Sequence, residues 1–251
     1  MAELRTLPGD LADAVARFLV ATGLEAEPER AYQYALAARG LAARVGIVRE
    51  TCAIAAYQAG RWADALTEFR AARRLTGRDS YLPLMADCER ALGRLDRALD
   101  IVTGPETRSA DRATQIELRI VESGVRRDQG LPDAAVVALQ VPELTDKRGR
   151  AGRARLFYAY ADALLDAGRE EEAREWFGKA AAADSSGETD AAERAEELDE
   201  VLIEDLNETW DELDEDEDED AAAVNDAAEI DAADIGGADA DDAPSDAGDV
   251  G

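Results

Sequence analysis

The sequence predicts an all-α protein built from stacked helical hairpins, followed by an acidic tail. Three observations carry this prediction. First, a short phrase recurs four times: a helix-like stretch ends in glycine, and an alanine follows five residues later inside a second helix-like stretch. The pairs are Gly60 with Ala65, Gly93 with Ala98, Gly130 with Ala135 and Gly168 with Ala173, so the glycines stand 33, 37 and 38 residues apart. Self-similarity at such a period marks a helical repeat, in which each unit buries its apolar face only against its neighbours. Second, apolar residues between these phrases recur at three- and four-residue steps, the spacing of one helix face. Third, the net charge of −29 is unevenly placed. From Glu188 onward 28 acidic residues face a single basic one, Arg194, whereas residues 1–187 hold 29 acids and 27 bases. The chain is therefore a near-neutral body joined to a polyanion.

Taken in order, residues 10–21 place Leu11, Val15, Phe18 and Leu19 on one face, with Asp10 as a candidate cap and Gly23 as the stop. Pro28 suits the first turn of a second helix, since its missing N–H is unpaired there anyway. That helix runs from Ala31 to Arg44 with Tyr34, Ala35, Ala38 and Leu41 inward. Together they form an irregular first hairpin over residues 10–45. Four hairpins follow: Ile47–Ala59 with Trp62–Leu75, Ser80–Leu92 with Leu95–Val102, Gln115–Gln129 with Pro132–Leu139, and Ala154–Ala167 with Glu170–Ala183. A glycine stands wherever a first helix must end in a left-handed residue. The alanine five positions on lets the two helices approach closely. Gly104-Pro105 and Pro142 cut the second helices of the middle two hairpins short.

These residues resemble the tetratricopeptide repeat, a helix-turn-helix of 34 residues. The first copy carries Ala53, Gly60, Trp62, Ala65, Phe69 and Ala72, and the fourth Phe157, Ala161, Gly168, Ala173, Phe177 and Ala180. The middle copies depart from the pattern. One has Leu82, Ala86, Gly93, Ala98 and Val102, then Pro105 where alanine is expected; the other has Ser123, Gly130, Ala135 and Leu139, then Pro142. The resemblance covers residues 46–184 and implies a right-handed α-solenoid. It also implies a concave groove lined by the first helix of each hairpin. Carried onto this sequence, the groove positions are Glu50, Ile54, Tyr57, Gln58, Asp87, Arg90, Arg127, Asp128, Tyr158, Asp162 and Asp166. Members of the family that bind chaperone tails clamp a terminal carboxylate with lysine, asparagine and arginine. Residues 1–206 contain no asparagine, and the two lysines, Lys147 and Lys179, lie outside the groove positions, so that ligand is not expected.

Past Asp184, the residues Ala195, Leu198, Leu202, Leu206, Trp210 and Leu213 recur with helical spacing, and a capping helix is expected over residues 188–213. A solenoid needs such an element to cover its last apolar face. The expected domain thus spans residues 1–213. Residues 214–251 are rich in Asp, Ala and Gly with few large apolar side chains, a composition of disorder.

Composition narrows the chemistry. With no histidine, a His-based triad, His metal ligation and a His switch are all excluded. Cys52 and Cys88 have no CxxC spacing and read as buried thiols. Asp214, Asp216 and Asp218 open like a calcium loop, but Glu219 replaces the obligatory glycine and Asn225 the bidentate glutamate. No spacing singles out an acid–base pair, so no catalytic residue, metal or cofactor is expected. The first ten residues lack the basic and apolar run of a secretory leader, and a cytoplasmic location with no membrane span is expected. The expected function is that of an adaptor or scaffold that binds another protein, a peptide or a partner helix, in the groove, with no small-molecule substrate. The alternative is a nucleic-acid- or ribonucleoprotein-associated factor. It would use the basic loop Lys147, Arg148, Arg150, Arg153 and Arg155, and the acidic tail would screen that loop.

Overall fold

The computed structural model describes residues 2–145 and 153–199. Among them lie α1 (Gly9–Leu24), α2 (Pro28–Ala42), α3 (Gly46–Gln58), α4 (Trp62–Thr76), α5 (Leu82–Ala91), α6 (Leu95–Val102), α7 (Arg112–Asp128), α8 (Pro132–Leu139), α9 (Arg153–Asp166) and α10 (Glu170–Ala183). Short 3-10 turns precede α1 and α5 and follow α6 and α8. Residues 191–199 are helical as well, and no strand occurs among the described residues. Met1–Glu196 form one compact unit. Of the second, Glu197–Gly251, only residues 197–199 are described. The expected capping helix therefore falls largely outside the described residues, and the acidic tail wholly so.

The recurring phrase is one turn made four times. Gly60, Gly93, Gly130 and Gly168 have φ of 69°, 71°, 71° and 71°. That left-handed conformation is open to glycine because a Cβ would meet the following carbonyl. Each closes its helix with the same two bonds. At the first, Gly60 N–H donates to Tyr57 O (3.0 Å) and Arg61 N–H to Ala56 O (2.8 Å), the Schellman pattern. The pairs Arg94 to Glu89, Leu131 to Arg126 and Arg169 to Leu164 repeat the longer-range bond at 2.9, 2.9 and 3.0 Å. The residue after each glycine then begins the second helix. Its carbonyl accepts from the N–H of the phrase alanine: Ala65 to Arg61, Ala98 to Arg94, Ala135 to Leu131 and Ala173 to Arg169. All four alanines are fully buried. The five-residue spacing is thus the length of one turn plus the first helical hydrogen bond.

Consecutive helices pack pairwise, and α5 also rests on α7 and α7 on α9. This is compatible with a helical repeat. The core is a chain of clusters, each shared by neighbours. Val15, Ala38 and Val48 join α1, α2 and α3. Tyr32, Cys52, Phe69 and Met85 join α2 to α5. Leu82, Val102, Leu118 and Val125 join α5, α6 and α7. Burying one side chain the size of Phe69 contributes about 3 kcal/mol.

Four details differ from the sequence reading. Pro8, not Asp10, caps α1, and Asp10 sits in the first turn without a capping bond. Gly23 lies within α1, which continues to Leu24. The inward stripe of α2 is Ala31, Tyr32, Ala35, Ala38 and Ala42, and Leu41 is exposed. The first helix of the third hairpin starts at Arg112, where the Asp111 carboxylate accepts from Thr114 N–H at 2.8 Å. The shortened helices are as the prolines dictate: α6 and α8 are each 8 residues long, and 3-10 turns at Pro105–Arg108 and Pro142–Leu144 follow them.

Candidate functional site

The positions carried over from the repeat pattern come together as a polar ladder between successive first helices. The Tyr57 hydroxyl on α3 donates to the Asp87 carboxylate on α5. Asp87 also accepts from Arg90 Nη1 at 3.0 Å, and Arg90 Nε reaches Asp128 on α7 at 2.7 Å. From α7, Arg127 forks to Asp162 and Asp166 on α9, each at 2.5 Å. Arg194, in the helical stretch after α10, lies 3.7 Å from Asp162. Glu50, two turns before Tyr57, pairs with Arg78 at 3.2 Å. The Tyr158 ring meets Phe177 edge-on with centroids 5.3 Å apart, and Tyr57 meets Trp62 likewise at 5.1 Å. Only Ile54 and Gln58 of the expected set stand exposed without such a partner among the described residues. The groove positions are thus mostly engaged with one another.

The ladder depends on a glycine that is not part of any turn. A Cβ at Gly124 would lie 3.0 Å from both Cζ and Nη1 of Arg90. Gly124 is the gap on α7 through which Arg90 reaches Asp128. Burial works against the Arg90 charge, but Asp128 and Asp87 outweigh it and hold the guanidinium above its ordinary value. The same balance holds for Arg127, with burial opposed by Asp166 and Asp162. Burial, then the bond to Asp87, pushes the Tyr57 phenol up. Burial, with Asp190 beside it, pushes Tyr158 up to about 12. Burial also raises the Glu117 carboxyl, although Arg155 at 3.0 Å opposes it. Cys52 and Cys88 are buried, with thiols pushed up to about 11 and about 12 by that burial, so both stay protonated and unreactive at neutral pH.

Two carboxylates missed by the sequence reading are the most deeply buried charges described. Glu68 on α4 is 2% exposed and accepts from Arg39 of α2 and Arg49 of α3, both at 2.6 Å. Glu89 on α5 is 1% exposed and pairs with Arg70 of α4 at 2.7 Å and Arg94 at 3.3 Å. A signal existed for both. Glu68 falls on the stripe Ala65, Phe69, Ala72, and Glu89 on the stripe Leu82, Met85, Ala86. An acid on an apolar helix face is a charge that must find partners inside.

Of the basic loop, Lys147, Arg148 and Arg150 lie outside the described residues. Arg153 stacks over the Phe157 ring at 5.0 Å, and Arg155 is the partner of Glu117. No helix among the described residues is long and apolar enough to cross a membrane. No known protein family and no curated protein matches the chain.

Proposed function

We propose that the chain is an interaction adaptor of the tetratricopeptide type: a right-handed α-solenoid that holds a peptide or helix of another protein against its first helices. The observation that carries this reading is the apolar opening in the ladder. Ile54 is 40% exposed, with Gln58 one turn further along α3 and the Tyr57 ring half-buried beside them. Around this opening the charges are already paired, so a partner covering Ile54 strands no lone charge, which is the usual cost of closing a polar interface. The fourfold turn supports the repeat reading, because identical turns stack successive hairpins in one sense.

Site-specific photocrosslinking tests this. A photoreactive residue at position 58 or 155 should capture the same protein from a lysate of the source cells. The same residue at the exposed Arg97 position of α6 should not. Ile54→Asp should abolish the adducts at 58 and 155. Equal capture at 97, or adducts that survive Ile54→Asp, would remove the support for this face.

A further inference from the structure

The truncation of α6 and α8 leaves α7 uncovered on its far side, and the opening has a defined chemistry. A cavity of about 410 Å³ lies between the end of α6 and the 3-10 turn after α8, over the first two turns of α7. Its buried lining is apolar, with Val102, Ile116 and Leu118. Its rim holds Arg108, Arg112 and Arg119 against one carboxylate, Glu143. A second cavity of about 580 Å³ continues it, sharing Arg119, Gln140 and Val141 and reaching Arg126 and the 64%-exposed Val137, with the carboxylates of Glu122 and Asp133 on its lining as well. The two form one groove along α7.

Three features specify what fits. Arg108 has no ion-pair partner among the described residues, and the guanidinium of Arg119, bound to Glu122 by one nitrogen, keeps donors to spare. Glu143 gives one oxygen to Arg112, but its Oε2 is buried without a hydrogen-bond partner. A ligand must therefore bring anions, an N–H donor and apolar groups together. Free phosphate lacks the last of these, and a nucleic-acid backbone lacks both the N–H and the apolar groups. A peptide has all three. Spacing narrows it further. Arg112, Arg119 and Arg126 recur every seven residues of α7, about 10 Å apart at 1.5 Å per residue. A peptide chain in the extended polyproline-II conformation has three residues per turn and rises about 3.1 Å per residue, so every third side chain returns to the same face about 9 Å further on.

We propose that this groove binds an extended acidic peptide segment of another protein, with carboxylates at every third residue facing Arg108 and Arg112, Arg119 and Arg126, a backbone N–H on Glu143 and apolar side chains between. This site is separate from the face of the first helices, so its failure leaves the adaptor reading standing, and the converse holds.

The test is fluorescence anisotropy on the full chain. The probe is a labelled eight-residue peptide with aspartates three apart and valines between them. Binding should be measurable at about 150 mM salt, where exposed charges farther apart than about 8 Å are screened. The matching asparagine peptide should bind at least about tenfold more weakly, since charge-assisted bonds are the strong ones. Arg108→Glu reverses an exposed, unpaired charge and should weaken the aspartate peptide by about tenfold or more. Arg17→Glu, an exposed charge on α1, should leave it unchanged. Four results would overturn the proposal: no binding of the aspartate peptide; equal binding of the asparagine peptide; equal loss in Arg17→Glu; or displacement of the peptide by a single-stranded oligonucleotide or inorganic phosphate at equal charge concentration.

Discussion

Replacing Glu68 with alanine tests whether the buried carboxylates hold neighbouring hairpins together. The side chain is 2% exposed and accepts two charge-assisted bonds of 2.6 Å, from Arg39 and Arg49. Removing one member of a buried ion pair costs about 3–5 kcal/mol, because the charge left behind has lost its solvent without keeping its partner. Here the abandoned arginines keep 37% and 23% of their side-chain surface and can turn toward water. The cost therefore belongs at the low end, about 3 kcal/mol. For a domain of this size that lowers the melting temperature by about 6–12 °C. Urea unfolding followed by circular dichroism measures it directly. Because the pair is sheltered, the loss should persist at about 1 M salt, unlike that of a surface pair. A cycle with Arg39→Ala should return a coupling of about 1–2 kcal/mol. A Glu68→Ala variant within about 0.5 kcal/mol of the parent, the range of an ordinary surface change, would refute the reasoning.

Gly124→Ala should show an interaction with Arg90. On an open helix the exchange gains about 1 kcal/mol, but here the new Cβ would press on the guanidinium at 3.0 Å. The gain should vanish in the parent and return in an Arg90→Ala background; a full gain in the parent would show that Arg90 moves aside freely. Asp184 accepts from the N–H groups of Glu188 and Thr189 and from the Thr189 hydroxyl, and these bonds, the Glu188 N–H first, hold its carboxyl at about 2. A depressed folded value means that its contribution is complete above the unfolded value of 3.8 and is lost as pH falls toward about 2. The Thr189 amide should keep its protection from exchange until that window, and Asp184→Ala should remove both the protection and its pH dependence. Burial raises the phenols of Tyr32 and Tyr158 to about 12, and also raises those of Tyr57 and Tyr81. A raised folded value gives stability that is present below the unfolded value and lost as pH rises. These four tyrosines should ionise late, together with alkaline unfolding, and an absorbance titration with every phenol ionising near pH 10 would contradict their burial.

The turns were legible because their requirement is local. A residue at φ near 70° asks for glycine whatever surrounds it, and the alanine after it is fixed by one helical hydrogen bond. Pro105 and Pro142 were legible for a similar reason, since each stops a helix by its own covalent structure. The inward stripe of α2 was misread because alanine dominates it. Ala31, Ala35, Ala38 and Ala42 give little contrast with their neighbours, so Leu41 and Tyr34 drew the assignment away from Tyr32. The pairing among the first-helix positions was not visible in the sequence. Whether Arg90 meets Asp128 depends on the offset between two hairpins and on the absence of a Cβ at Gly124. Glu68 and Glu89 were passed over because a glutamate in a helix is usually solvated, and only their arginines, 19 to 29 residues away for Arg39, Arg49 and Arg70, make burial tolerable.

Four identical turns also create a hazard of identity. Hairpins so alike can dock on the wrong neighbour, within one chain or between two copies, with the backbone equally content. Glu68 and Glu89 tell them apart. Each takes one arginine from its own hairpin and one from the hairpin before it. Counted from the phrase alanine, the place of Glu68 is held by Ile101 in α6, Ala138 in α8 and Trp176 in α10. Counted back from the turn glycine, the place of Glu89 is held by Ala56, Arg126 and Leu164. A hairpin out of order would therefore leave Arg39 or Arg70 facing a group with no negative charge. The two carboxylates work as addresses. They make the order of the hairpins part of what folding selects, so that duplication or exchange of a unit carries a penalty the turns alone would not impose.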